Sequence, residues 1–457
     1  MAAPRLAEAD IYEALRAVQE PELGRDIVTL NMVKDVEVSG SDVSLKIELT
    51  TPACPLKDEI ERNVHAALSG LGAAEVTVTW GAMVRRAQPA QAQQLLPDVK
   101  NIIAVASGKG GVGKTTVSAN LAVALALEGA SVGLLDADIT GPNVPLMLGV
   151  EGQPAANPEG KITPLERHGV KVISIQFFVP EGQPIVWRGP LVGGAIQQFL
   201  RDVAWGELDY LVIDLPPGTS DAQLTLAQAV PISGALLVTT PQDVALQDVA
   251  KALSMFRRMS VPVMGVVENM SAFVCPHCGE ATEIFGRGGG ERFAQRNELE
   301  YFGGIPIDVK VRQGGDAGVP AVAQREPGAA ADVLRELARI VAARMSVRAA
   351  QQAPRRPLAD RDRRRLLRHS LQAGAANATA RCRRPGPLAG GLRVRSGMPC
   401  ARRCAGRRRR QSRSRRRCRV PLHASAGRAR CRRRCRRAPR PPARRPGHRS
   451  DALRRAR

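Results

Sequence analysis

Residues 102 to 129 read IIAVASGKGGVGKTTVSANLAVALALEG, an apolar run, a glycine-rich turn and a helical pattern in direct succession. The turn fits G-x-x-x-x-G-K-[ST], with Gly108, Lys109, Gly110, Gly111, Val112, Gly113, Lys114 and Thr115 in order. Its glycines let backbone N–H groups wrap the β and γ phosphates of a nucleotide, and the following helix adds its positive end. Lys114 supplies a point charge, Thr115 offers a hydroxyl to Mg²⁺, and Thr116 completes the set expected to bind ATP. A glycine turn with no such role has no need of Lys114 and Thr115 side by side.

Outward from this loop, short apolar runs alternate with helical segments: SVGLLDAD, VKVISI, YLVIDLPPG, GALLVTT and VPVMGVVEN. Buried strands each followed by a helix predict an α/β domain over residues 99–346, with a mostly parallel sheet covered by helices on both faces. Its last helix, about Ala331 to Met345, puts Leu334, Leu337, Ile340, Val341 and Met345 on one face. That stripe can dock on the sheet or lie on a membrane surface. Residues 1–87 predict a small α+β domain in the order helix, hairpin, helix, strand, and residues 88–98 have the composition of a linker.

Charge divides the chain sharply. Residues 1–350 hold 30 Lys+Arg against 40 Asp+Glu, a net of −10, so the remaining 107 residues carry +34 of the overall +24. The tail, taken from residue 347 to 457, is Arg, Ala, Pro and Gly with no sustained periodicity, and its composition predicts disorder. It suits a nucleic-acid tether or an out-of-frame extension with no selected role; any nucleic-acid binding is expected only through it. Of nine cysteines, only Cys54, Cys275 and Cys278 precede residue 350, too few for a disulfide framework. With no apolar leader and no run of 18 apolar residues, a cytoplasmic protein with no membrane attachment is expected.

Three further features carry chemistry. Asp136 and Asp138 close one predicted strand and Asp214 another, and carboxylates at the carboxyl ends of parallel strands face the ligand crevice. Cys275 and Cys278 in CPHCG can chelate one metal centre, as an iron-sulfur cluster or a zinc knuckle. Either needs about four protein ligands, which a two-fold homodimer supplies. Cys54 precedes a helical pattern, whose N-terminus is expected to stabilise its thiolate for transient metal binding.

Lys109 resembles the signature lysine of the deviant Walker ATPases, which include the nitrogenase iron protein and the Min and Par ATPases. The resemblance implies hydrolysis within a dimer, with Lys109 acting on the facing subunit's phosphates. It also implies that Asp138 positions the attacking water and that Asp214 orders Mg²⁺ through water, with Asp136 nearby as a structural or magnesium-shell residue. Asn269 becomes the candidate for base recognition, with Pro306 and Asp308 beside it. Together with the P-loop, ENMSAFVCPHCG resembles the Mrp/ApbC iron-sulfur cluster carriers over residues 99–346. QEPELGRDIVTLNMVKDVEV followed by TTPACPLKDEI resembles the small iron-sulfur assembly domain fused ahead of them. What this implies is an ATP-dependent homodimeric carrier of a cluster, 4Fe-4S by the resemblance, working with apo iron-sulfur proteins and scaffold proteins. A Min- or Par-like positioning ATPase on membrane or DNA is the rival.

Overall fold

A computed structural model describes residues 6–87, 96–138, 141–179, 189–219, 223, 232–275 and 277–352, with the side chains of 189–192 excepted. The N-terminal domain begins with α1 (Glu8–Leu15) and a short antiparallel pair, β1 (Gln19–Glu20) with β2 (Arg25–Asp26). A hairpin follows, β3 (Val33–Ser39) with β4 (Asp42–Leu49), closed by a Gly40-Ser41 turn in which Gly40 takes φ 69°. The next helix, α2 (Lys57–Ser69), returns the chain so that β5 (Glu75–Ala82) lies parallel to β4, a pairing that requires a crossover. Period-two alternation turns Val43, Leu45, Ile47 and Leu49 inward, onto Ile11, Leu15, Ile60, Val64 and Leu68 of the two helices. The predicted helix, hairpin, helix and strand are found in that order, with the short β1–β2 pair added after the first helix.

The second domain is built on a nine-stranded sheet. Its elements run β6 (Val99–Ser107), α3 (Lys114–Leu127), β7 (Val132–Asp136), α4 (Val144–Leu148), β8 (Leu165–Arg167) and β9 (Val170–Ser174). Then come α5 (Gly189–Asp202), β10 (Leu208–Asp214), β11 (Gly234–Thr239), α6 (Asp243–Arg258), β12 (Val263–Val274) and β13 (Ala281–Thr282). The last are α7 (Gly289–Arg296), β14 (Glu300–Ile307), α8 (Val309–Asp316) and α9 (Ala329–Gln352). Spatially the strands order as β13, β12, β11, β6, β10, β7, β9, β8, with β14 also on β12. Only β8 and β13 run antiparallel to their neighbours. This is the P-loop NTPase fold, with β6 central and neighboured by β10 and β11.

Apolar side chains of alternate orientation leave β6 to both faces. Ile103 and Val105 join a core with α3 and α9, while Ile102, Ala104 and Ala106 join one with α5 and α6. Helix α3 is apolar nearly all round because it lies between the sheet and α9. In α9 the expected stripe is occupied: Leu334, Leu337, Val341 and Met345 are buried in that core and Ile340 packs against it. The face that a membrane-surface reading needed is therefore spent on packing. Among the described residues no helix is long and apolar enough to cross a membrane.

Several boundaries differ from expectation. Helix α9 continues to Gln352, into the stretch assigned to the tail, because Ser346 and Ala349 remain buried. Leu96, placed in the linker by composition, is also buried, three residues before β6. Residues 88–95 of the predicted linker and residues 353–457 of the predicted disordered tail lie outside the described residues.

The two domains share a seam. The turn before α2 inserts Ala53 into the core of the ATPase domain. The fully buried Tyr210 of β10 meets the Thr51 hydroxyl at 3.1 Å, and Ser346 of α9 donates to the Thr50 carbonyl at 3.1 Å. Asn101 accepts from the Ala87 amide and donates to the Arg85 carbonyl, each at 3.1 Å.

Candidate functional site

At the carboxyl end of β6 the chain enters the glycine loop. Gly111 and Gly113 take φ of 79° and 84°, the left-handed region where a side chain is strained. A Cβ on Gly113 would also collide with the Asn269 amide, and one on Gly108 with the backbone of Asp248 and Val249 in α6. These positions fix how closely the loop is held between β12 and α6. Helix α3 then starts at Lys114, so its first N–H groups face the loop.

Strand register assembles the acids. In the parallel ladder Asp214 of β10 is the partner of Asp136 on β7, and its other neighbour is Val105, two residues before the end of β6. Asp214 is fully buried and satisfied on both oxygens. Oδ2 accepts from Thr115 Oγ1 at 2.8 Å and pairs with Lys114 Nζ at 2.7 Å, and Oδ1 accepts from Ser118 Oγ at 2.6 Å. Lys114 Nζ also lies 3.7 Å from Asp138 Oδ2 and 3.3 Å from Thr115 Oγ1. Lys114, Thr115, Asp138 and Asp214, singled out in the sequence, thus form one cluster. The arrangement fits a magnesium-nucleotide: hydroxyl and carboxylate oxygens suit a hard cation, and the left-handed glycines open backbone N–H groups to phosphate.

Asp136 is held by hydrogen bonds on both of its carboxyl oxygens. Its Oδ1 accepts from the Asp138 amide at 3.2 Å, and its Oδ2 from the Val144 amide at 3.3 Å and Ser174 Oγ at 3.0 Å. The carboxyl therefore ties β7 to α4 and β9. Burial, and then the charge of Asp214, raise its pKa above the ordinary carboxylate range, against the pull of Lys114 and the Ser174 and Val144 donors.

Asn269 sits at the loop, where its Nδ2 donates to the Val112 carbonyl at 2.9 Å, so β12 is tied to the phosphate loop itself. Asp308, grouped with the base-recognition candidates, is instead spent on capping. Oδ1 accepts from the Lys310 amide at 2.8 Å, opening α8, and Oδ2 from the Ala330 amide at 3.3 Å, in the first turn of α9. Pro306 lies in β14, which bonds only to β12 and so tolerates a missing N–H. Lys109 makes no ion pair among the described residues, which leaves its ammonium free for phosphate.

Beyond Asn269, β12 runs on to Val274 and turns into β13, carrying Cys275 and Cys278. Cys275 donates its amide to the Glu280 carbonyl and accepts the Gly279 amide, both at 2.9 Å, and Gly279 takes φ 74°. Backbone N–H groups of Cys278 and then His277, followed by the Cys278 thiol, stabilise the Cys275 thiolate and lower its pKa. An exposed Cys278 thiol beside a half-buried Cys275 whose sulfur receives backbone amides fits a thiolate-ligated metal centre. Among the described residues no group of three or more His, Cys, Asp or Glu side chains forms a metal site.

Cys54 departs from expectation. A backbone hydrogen bond from Leu56 lowers its pKa, as the helix start suggested, but burial outweighs it and Glu22 and Glu20 oppose the anion further. The thiol is pushed up to about 11 and stays protonated at neutral pH. It lies with the small domain's core, beside the seam.

Sequence reasoning missed Ser118 and Ser174, which hold the two buried carboxylates. Ser118, one helical turn after Lys114 on the same face, was accessible from spacing; Ser174, on a strand 38 residues from Asp136, was not.

Comparison with known proteins places these features. The model of the NUBPL iron-transfer P-loop NTPases matches residues 98–342, and that of an iron-sulfur cluster assembly protein matches residues 8–80. The chain is 53% identical over 348 residues to an iron-sulfur cluster carrier protein of Deinococcus radiodurans, covering 75% of this chain and 97% of that one. It is 41% identical over 351 residues to the Escherichia coli protein of the same description, covering 74% and 95%. A nucleotide-binding protein of Archaeoglobus fulgidus solved with ADP shares 44% identity over 52% of this chain and 93% of its own, with a TM-score of 0.46.

Proposed function

The chain belongs to the NUBPL iron-transfer P-loop NTPase family and is an ATPase, and from that premise we propose that it carries an iron-sulfur cluster to apoproteins, with ATP governing the handover. The observation that carries this reading is the course of β12. One strand holds Asn269 against the phosphate loop and, past an irregularity at Met270, leads to the thiol pair that begins six residues further on. A movement of the loop has a continuous backbone path to the cysteines.

In this reading the loop amides and Lys114 would hold the β and γ phosphates, while Thr115 and Asp214 would hold the magnesium ion. Bound magnesium supplies charge neutralisation on the phosphates. Asp138 orients the attacking water, and Asn269, whose side-chain oxygen remains available, faces the base. Lys109 of each copy reaches the nucleotide held by the other, so turnover requires a homodimer. Cys275 and Cys278 from two copies give the cluster four thiolates, and a cluster held by two residues per copy at an edge is readily released. Cluster and nucleotide sites are coupled if cluster-loaded and cluster-free dimers differ in affinity for ATP. The raised pKa of Cys54 makes its deprotonation, which metal binding requires, more costly there than at Cys275.

The test is anaerobic reconstitution with iron and sulfide, comparing the wild-type protein with Cys275→Ala/Cys278→Ala. The variant is expected to lose its iron and sulfide while binding ADP as before. Equal iron in the two proteins would refute the assignment, and zinc without sulfide in the wild type would turn it toward a zinc knuckle.

A further inference from the structure

The partners of the buried Asp214 carboxylate are of two kinds. Oδ2 takes the Lys114 ammonium at 2.7 Å and the Thr115 hydroxyl at 2.8 Å, the two groups that the reading above gives to phosphate and magnesium. Oδ1 accepts from the Ser118 hydroxyl at 2.6 Å. Ser118 lies one turn further along α3 and, like Asp214, has 0% exposure, so it has no route to a ligand of its own. A serine in a helix often bonds back to the carbonyl four residues earlier, and Ser118 Oγ does lie 3.0 Å from the Lys114 carbonyl. It has a single proton to give, however, and the carboxylate is both the closer and the stronger acceptor.

We propose that Ser118 is the positioning residue of Asp214: it holds the carboxylate in the orientation that offers Oδ2 to magnesium once Lys114 and Thr115 have turned to the nucleotide. The inference rests on the assignment of Asp214 to magnesium made above and adds the group that keeps it aimed. The torsion that orients an aspartate carboxyl is broad and two-fold, so the side chain by itself does not fix where Oδ2 points. Lys114 and Thr115 fix it in the ligand-free protein, but both are the groups that a magnesium-nucleotide recruits. The ladder neighbour Asp136 offers no replacement, since its two oxygens are turned to the Asp138 and Val144 amides and to Ser174. Ser118 is the donor that both states share, and α3, packed between the sheet and α9, holds it rigidly.

The experiment measures ADP affinity by titration calorimetry, in magnesium and in EDTA, for the full-length wild type, Ser118→Ala, Asp214→Ala and the double variant. Urea unfolding without ligand checks the fold of each. Losing a hydrogen bond to a charged group corresponds to about tenfold or more. The gain in ADP affinity that magnesium confers is expected to fall by that factor in Ser118→Ala, with the affinity in EDTA as in wild type. A serine that only supports the helix would lower both affinities alike or leave both unchanged, and either result overturns the proposal. In the Asp214→Ala background the acceptor is gone and the serine should no longer matter. A further loss of the magnesium gain in the double variant therefore also overturns it, a comparison that stands even where Ser118→Ala alone folds poorly. An undiminished magnesium gain in Asp214→Ala sinks instead the magnesium assignment itself, and this inference with it.

Discussion

Replacing Lys114 by Met should destabilise the folded protein as well as remove ATP turnover, because the ammonium is the counter-charge of a fully buried carboxylate. Its Nζ lies 2.7 Å from Asp214 and 3.7 Å from Asp138, and the Lys114 side chain is 6% exposed, so solvent screens the group little. At an effective dielectric constant of about 20 the two attractions are on the order of 6 and 4 kcal/mol. Most of that only offsets the desolvation of the ions, so the pair adds little net stability, but removing one partner leaves an uncompensated buried charge and costs about 3–5 kcal/mol. Urea unfolding without nucleotide or magnesium measures this. Asp214→Asn added to Lys114→Met removes the stranded charge and should restore half or more of the loss, with turnover still absent. A single variant that loses less than about 1 kcal/mol, the scale of an exposed pair, would refute the reasoning. So would a double variant as unstable as the single.

The seam between the domains predicts that Tyr210→Phe and Thr51→Val each cost about 1–2 kcal/mol, since each leaves a buried hydroxyl or amide without its partner. The two losses should add to clearly more than the double variant shows, and strict additivity in urea unfolding would break the pairing. Asp136 predicts a pH trend. Its pKa is raised in the folded protein, so the native state keeps a proton that the unfolded chain releases near the ordinary value of 3.8. This contribution is present below that value and is lost as pH climbs through the raised pKa, so stability should fall relative to Asp136→Asn over that window. Parallel stability-pH curves for the two proteins would contradict the shift.

What the sequence determined by itself is the set of features written in short stretches of chain. Apolar runs of five to nine residues gave the central strands, the glycine spacing gave the loop, and two cysteines three apart gave half a metal site, because turn chemistry and periodicity act over a few residues. Where local signals are weak the reading failed. The strand EYFGGIPI is broken by Gly303, Gly304 and Pro306, and it forms because β12 offers it a partner. Only the tertiary structure decided the rest. Ladder register makes Asp214 a neighbour of Asp136, although 78 residues separate them. Packing decides that the stripe on α9 is core rather than membrane face, and that Asn269 grips Val112. The fate of Cys54 shows the physical reason most plainly. Its helix-start context favours a thiolate, but desolvation and two glutamates, one of them the buried Glu20 of β1, reverse the balance, and burial is a property of the assembled fold that no local window contains.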